Sequence, residues 1–158
     1  MTKEEKIKLA LRRGRFLLRK YGLEEDWKII PKDMRRTVVG QTWYNKNTIL
    51  LSKRFIRVCD KEQFDGVFLH EIAHVLTGFK GGHGNRFIKT CEKIGVPEGY
   101  RRPTSPEMFT GLYVLYCPTC KMFGTTNDPE SVFCQECAYN KKISRCFVTR
   151  NSFEVFPW

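Results

Sequence analysis

The chain lacks the features that mark membrane and secreted proteins. It contains no run of about 18 apolar residues, the length that a membrane-spanning helix needs. The N-terminal residues lack the apolar core of a secretory signal peptide. No internal repeat or low-complexity segment is visible, and 158 residues suffice for one ordinary core or for one core and a small metal-stapled module. We therefore expect a cytoplasmic protein that is neither secreted nor membrane-bound.

Acidic residues are in the minority. The chain has 17 Asp and Glu against 28 Lys and Arg, a net charge of +11. The excess lies in residues 1–109, which hold 23 basic and 13 acidic residues, whereas residues 110–158 hold 5 and 4. A basic balance of this kind indicates a polyanionic partner such as nucleic acid. We expect single-stranded or damaged DNA to bind through the basic N-terminal part, and the alternative is a charged surface that only keeps the protein soluble.

Histidine is scarce, and its placement is informative. The chain has three histidines, and all of them fall within 14 residues. His70 and His74 belong to an HExxH motif, and because residues i and i+4 share one face of a helix, both imidazoles can reach one metal ion. His83, in a glycine-rich turn, supplies a third ligand. Three protein ligands leave a position for water, which is the coordination of a catalytic zinc.

The motif also contains an acid–base candidate. Glu71 follows the first ligand and is expected to face the open side of the site, where it would take a proton from water and pass it to a leaving amine. The alternative is a pair of core histidines that happen to flank a glutamate. No histidine remains to stabilise the oxyanion, so the candidates for that role are Tyr44, Tyr100, Arg101 and Arg102.

Apolar periodicity and turn residues predict a mixed α+β chain. Helices are expected over residues 3–20, 61–76 and 86–94, and strands over residues 27–31, 37–44 and 48–51. The strands together predict a small antiparallel sheet beside the HExxH helix. Asp60 and Gln63 are in capping-box positions at the start of that helix, and Asn85 is placed to cap the next one. Residues 96–109, rich in proline and glycine, predict an irregular linker.

Seven cysteines in a reducing compartment are better explained by metal than by disulfides. Four of them form two CxxC pairs separated by 13 residues: Cys117, Cys120, Cys134 and Cys137. This spacing predicts a β zinc ribbon with a structural zinc, because four thiolates leave no position for water. The alternatives are an iron–sulfur site and a redox dithiol. Cys59, Cys91 and Cys146 are expected to be small buried residues.

In combination, these motifs resemble the SprT-like zinc metallopeptidases, the family that includes the Spartan DNA–protein crosslink proteases. The resemblance rests on the strand pair within residues 36–52, on the stretch from Leu69 to Phe87 and on Tyr116 with the four cysteines. It implies a zincin-like metallopeptidase domain over residues 1–109, a zinc ribbon over residues 110–158 and two zinc ions. The short loop between His74 and His83 matches the compact members found in viruses and plasmids.

The resemblance further implies that the protein is a metalloendopeptidase that cleaves proteins bound or crosslinked to DNA. We also expect the protein to be a monomer. Two alternatives remain open at the level of sequence. The first is a DNA-binding adaptor, in which the ribbon carries the function and the HExxH site is only structural. The second is a peptidase that acts on soluble proteins not bound to DNA.

Overall fold

A computed structural model describes residues 1–35, 38–102, 113–120, 123–126, 130 and 133–150. Within these residues the chain is a mixed α+β structure with two three-stranded sheets, as expected from the sequence. Its helices are α1 (Lys3–Lys20), α2 (Lys53–Val58), α3 (Lys61–Thr77), α4 (Asn85–Ile94) and α5 (Gln135–Tyr139). Its strands are β1 (Lys28–Lys32), β2 (Gly40–Trp43), β3 (Thr48–Ser52), β4 (Tyr113–Tyr116), β5 (Phe123–Thr126) and β6 (Phe147–Arg150).

The first sheet has the strand order β1-β3-β2. Strands β2 and β3 form the predicted antiparallel hairpin, which turns through Asn47 in the left-handed conformation. Strand β1 instead runs parallel to β3, with Lys28 beside Thr48, so the prediction of an antiparallel sheet is wrong for this strand. All five residues of β3 are buried. This largely apolar strand lies at the centre of the sheet. Strand β1 therefore pairs with the edge of β3 that β2 does not use.

Helix α1 contains one residue that the sequence pattern misplaces. The amphipathic pattern of residues 3–20 places Lys6 among the charged residues of the helix, but it is 1% exposed, and its Nζ donates a hydrogen bond of 3.0 Å to the Arg57 carbonyl. The bond satisfies a carbonyl at the C-terminal end of α2, where helix carbonyls lack partners within the helix. One basic side chain of α1 is therefore part of the core.

Helix α3 runs through the main hydrophobic core of the protein. It starts at the predicted capping box of Asp60 and Gln63 and ends at Gly78, whose φ is 78°. Phe64 and Phe68 stack on one another at 5.6 Å within the core. The helix is therefore held along its whole length by buried contacts, which keeps its side chains in fixed positions. Its buried residues are Phe64, Gly66, Val67, Phe68, Leu69, His70, Glu71, Ile72, Ala73 and Thr77.

Two expectations for the segment after α3 are wrong. Helix α4 begins at Asn85 itself, and its N-cap is Gly84, which makes no side-chain cap. Residues 96–109 were expected to be a linker, but Val96 and Tyr100 are 1% and 7% exposed and belong to the core. Tyr100 ends a short 3-10 turn that packs on α3. Residues 103–109 lie outside the described part of the chain.

The second sheet is antiparallel, with the order β5-β4-β6. It lies next to the cysteines of the predicted ribbon. The predicted domain boundary, between residues 109 and 110, falls outside the described residues. No helix in the described part of the chain has both the length and the hydrophobicity that crossing a bilayer requires.

The burial of Lys6 leads to a stability prediction. Lys6→Ala removes a fully buried stem and leaves the Arg57 carbonyl without its donor, so it should lower the free energy of unfolding by about 2–5 kcal/mol. Chemical denaturation followed by circular dichroism measures this. Lys8→Ala, on the exposed side of the same helix, is the control and should change stability by less than about 0.5 kcal/mol. Equal effects would contradict the role given to Lys6.

Candidate metal centre

The three histidines converge on one point. His70 and His74 project from the same face of α3, and the turn after Gly78 brings His83 back to them. The three Nε2 atoms are separated by 3.1 Å (His74 to His83) and by 3.2 Å (His70 to each of the others). Gly82 has a φ of 47° and a ψ of −140°, a conformation that favours glycine. This turn is what allows a third ligand only nine residues after the second.

The donor set fits a zinc ion. Nitrogen ligands about 2.0–2.1 Å from a tetrahedral zinc lie roughly 3.3 Å apart, close to the separations seen here. His70 Nδ1 lies 2.6 Å from the Tyr100 carbonyl oxygen, so this nitrogen carries the proton and Nε2 is free to coordinate. Burial lowers the pKa of His70 and of His74 to about 4. Both are therefore neutral at physiological pH, the form that binds metal.

A backbone carbonyl orients His70, the first of the three candidate ligands. The Tyr100 carbonyl reaches His70 because the Tyr100 ring lies flat on α3 at Gly66, where a Cβ atom would come within 2.6 Å of the ring. Gly66 lies one helical turn before His70. Tyr100 therefore contacts neighbouring turns of α3, with its ring at Gly66 and its carbonyl at His70. Hydrogen bonds of this kind fix the tautomer and the orientation of a metal-binding histidine.

Phe87 forms the floor of the site. Its ring is fully buried and lies 4.9, 4.4 and 4.9 Å from the ring centroids of His70, His74 and His83. An apolar residue in the helix predicted over residues 86–94 is expected to pack that helix against the fold, as Phe87 does. In the structure it supports all three imidazoles and restricts their rotation.

Glu71 is buried beside strand β2. Thr42 Oγ1 donates a hydrogen bond of 2.7 Å to Glu71 Oε2. A Cβ atom on Gly40 would lie 2.9 Å from Glu71 Oε1, so the strand approaches the carboxylate this closely only because residue 40 is glycine. Burial raises the pKa of Glu71 to about 7, and the bond from Thr42 opposes this shift.

A cleft of about 310 Å³ lies between α3 and β2. The three histidines and Glu71 line it, together with apolar side chains from Val38, Val39 and Val67. The cleft therefore brings together the three residues predicted from the HExxH motif and His83. Glu71 is not part of the three-histidine cluster that could hold a metal ion, which leaves its carboxylate available for proton transfer.

Of the four candidates for oxyanion stabilisation, only Tyr44 lines the cleft. Its hydroxyl donates a hydrogen bond of 3.0 Å to the His74 carbonyl. The Tyr100 ring is buried against Gly66, away from the cleft. Arg101 donates to the Val96 carbonyl and pairs with Glu92. The Arg102 guanidinium lies 3.5 Å from the ring centroid of Tyr139.

The four CxxC cysteines form a second cluster. Cys117 Sγ and Cys137 Sγ are 3.6 Å apart, and Cys120 Sγ and Cys134 Sγ are 3.5 Å apart. Thiolates about 2.3 Å from a tetrahedral zinc lie roughly 3.8 Å apart, so the cluster is compatible with a zinc ribbon. Cys59 and Cys91 are buried in the main core as expected, whereas Cys146 is half-buried against the cysteine cluster.

Comparison with known families agrees with this geometry. A family model described as the SprT-like family matches residues 7–107, more than half of the chain. The chain belongs to the SprT-like family. Searches of curated proteins and of solved structures gave no match. The matched segment includes His70, His74 and His83. Membership of the SprT-like family points to a metallopeptidase-like role.

Sequence reasoning missed three contributors to this SprT-like site: Thr42, Gly40 and the Tyr100 carbonyl. Glycines in the interior of regular elements were the available signal, because such a glycine often marks a close backbone approach. Gly40 stands in a predicted strand and Gly66 in a predicted helix. Neither glycine reveals which partner approaches it.

Metal analysis tests both clusters. We expect two zinc ions per SprT-like chain and one in His74→Ala, since two remaining histidines would hold zinc weakly. Inductively coupled plasma mass spectrometry of protein dialysed against a metal-free buffer measures this. Lys80→Ala, an exposed change in the loop between His74 and His83, is the control and should keep both ions. Two ions in His74→Ala would show that the three histidines do not form the site.

Proposed function

We propose that this SprT-like protein is a zinc-dependent metalloendopeptidase with a zincin-like domain, and that it hydrolyses peptide bonds in proteins bound or crosslinked to DNA. The main support is the position of Glu71. A carboxylate that only stabilised a scaffold would need no access to the cleft, yet Glu71 lines it beside three imidazoles that could share one metal ion.

His70, His74 and His83 would hold the catalytic ion in this proposal. Zinc bound there would lower the pKa of a water molecule to about 7 and polarise the scissile carbonyl. The Tyr100 carbonyl keeps the His70 Nδ1 proton in place, and Phe87 prevents the imidazoles from rotating away. The chain thus supplies a fixed ligand set on the wall of an open cleft.

Glu71 acts as the general base and then as the general acid. It accepts a proton from the attacking water and returns it to the leaving amine. Thr42 holds Oε2 through a hydrogen bond of 2.7 Å, so the carboxylate has little rotational freedom. Proton transfer depends on such positioning, because donor and acceptor must come within hydrogen-bond distance.

The DNA-linked substrate is supported by charge and by family. Residues 1–109 hold 23 basic against 13 acidic residues, which favours association with a polyanion. In the proposed organisation, the peptidase domain spans residues 1–109, and a ribbon with a structural zinc spans residues 110–158. We further propose that the protein acts as a monomer, in the cytoplasm, at DNA.

Replacement of the general base tests the proposed reaction. Glu71→Gln should retain its metal but lose the acid–base contribution, which lowers cleavage roughly 100- to 10,000-fold. The assay follows cleavage of a DNA-binding protein, with and without single-stranded DNA, on gels.

The outcomes of this assay separate the three functions. Cleavage that requires Glu71 and is stimulated by DNA supports the proposal. Cleavage that requires Glu71 but ignores DNA would indicate a peptidase for soluble proteins. Wild-type protein that binds DNA but cleaves no more than Glu71→Gln would indicate an adaptor.

The contact between Thr42 and Glu71 gives a further prediction. Thr42→Val removes the donor with little change in volume. It should lower kcat roughly 10- to 100-fold with KM and metal content unchanged, because a hydrogen bond to a charged group contributes about 1.5–3 kcal/mol. Thr42→Ser keeps the hydroxyl and should retain most of the activity. Equal kcat values for the two variants would exclude a positioning role for the hydroxyl.

A further inference from the structure

Strand β2 has a second face, which points away from the metal centre. Side chains alternate along a strand, so Gly40 and Thr42 face Glu71, while Trp43 faces the opposite way. Strand β1 pairs with β3 in a register that places Lys28, Ile30 and Lys32 on this same side. We call the surface formed by Lys28, Ile30, Lys32, Trp43 and Lys46 the outer sheet face.

On the outer sheet face, the side chains from β1 and Lys46 are exposed, whereas Thr48, Leu50 and Ser52 of the central strand β3 are buried. Helices α1 and α3 contact the sheet on its other side, at Ile29 and at Gly40. On the outer side, Ile30 is 44% exposed, and Lys28, Lys32 and Lys46 are all exposed. Trp43 is half-buried. The large aromatic ring of Trp43 therefore lies on an edge strand, with exposed side chains on the same side of the sheet.

Two lysines flank this ring. Lys32 Nζ lies 4.9 Å and Lys46 Nζ 5.1 Å from the Trp43 ring centroid. The two lysines come from separate segments, since Lys32 ends β1 and Lys46 lies in the turn between β2 and β3. Three parts of the chain thus place one aromatic ring and two ammonium groups together.

The charge of this surface has one sign. Residues 28–32 and 40–52 contain Lys28, Lys32 and Lys46 and no acidic residue. The carboxylate that follows β1, Asp33, is paired with Lys53 Nζ at 3.0 Å. The positive charge of the outer sheet face therefore suits a polyanion, and the sheet fixes the positions of its three lysines.

We propose that the outer sheet face binds single-stranded DNA, with a base stacked on Trp43 and phosphates held by Lys28, Lys32 and Lys46. An aromatic ring on a basic surface suits unpaired bases, whose π-faces are free to stack. In a duplex the bases already stack on one another, so Trp43 adds nothing there. The lysine stems are flexible, and their ammonium groups can turn from the ring to a phosphate when a base arrives.

This inference deepens the proposed action on DNA-bound proteins and rests on it for its biological meaning. Strand β2 carries the DNA platform on one face and the contacts to Glu71 on the other. DNA bound on the outer sheet face would thus lie one strand away from the cleft, within reach of a protein attached to that DNA. Binding itself requires no peptidase activity, so the two proposals can fail separately.

Fluorescence anisotropy with a labelled oligothymidylate tests the inference, using the full chain with Glu71→Gln so that no cleavage interferes. Adding Trp43→Ala should raise the Kd roughly 5- to 100-fold, the range for loss of one stacked base. Trp43→Phe should bind nearly as tightly as the parent. Lys32→Gln with Lys46→Gln should reduce the slope of log affinity against log salt by about 1.4, since each phosphate contact on a single strand contributes about 0.7.

Two matched control variants test whether the loss of DNA binding is specific to the outer sheet face. Phe16, on α1, is 52% exposed and has the Arg13 guanidinium 4.9 Å from its ring, so Phe16→Ala removes a comparable pair elsewhere. Lys89→Gln with Lys93→Gln removes the same charge from the exposed side of α4. Neither control should match the loss seen at the outer sheet face.

Several results would overturn the inference. These are unchanged binding by Trp43→Ala, equal losses in the controls, equal affinity for a duplex of the same length, or equally effective competition by polyglutamate. If Trp43→Ala fails to fold, the exposed lysine pair decides the outcome. If oligothymidylate binding fails while Glu71-dependent cleavage persists, only this inference is lost. If binding holds and cleavage is absent, only the proposed peptidase is lost.

Discussion

The convergence of three neutral imidazoles is the constraint on which the rest of this structure depends. Three Nε2 atoms held 3.1–3.2 Å apart give up the rotational freedom that each imidazole would have alone, and His70 is buried and His74 half-buried. The surrounding fold must therefore hold the rings in place. The buried helix α3, the turn at Gly82 and the ring of Phe87 each do part of this.

Close approaches at glycine explain how α3 is held so firmly. Gly14 lets α1 approach Phe68, Gly66 accepts the ring of Tyr100, and Gly40 lets strand β2 lie against Glu71. Each contact fixes the helix from a different side. The Tyr100 contact also places a carbonyl next to His70 Nδ1, so a packing interaction in the core sets the tautomer of a candidate metal ligand.

Strand β2 links the two proposed activities. Its alternation directs Gly40 and Thr42 toward the carboxylate and Trp43 toward the outer sheet face. A strand of four residues therefore contacts Glu71 of the proposed hydrolytic site on one side and forms part of a cationic aromatic surface on the other. The geometry follows from the pleat of a β-strand, in which neighbouring side chains point to opposite faces.

The sequence by itself determined the elements and the ligand types. Helical spacing placed His70 and His74 on one face, the capping box located the start of α3, and the CxxC pairs marked the second cluster, because each of these patterns is local. Only the tertiary structure decided that β1 runs parallel to β3, that Lys6 is buried and that Thr42 and the Tyr100 carbonyl complete the site. These features join residues that are distant in sequence. Every residue has a backbone carbonyl, so the residue type does not reveal which carbonyl contacts His70. Which distant segments meet is set by packing of the whole core, which no local pattern encodes.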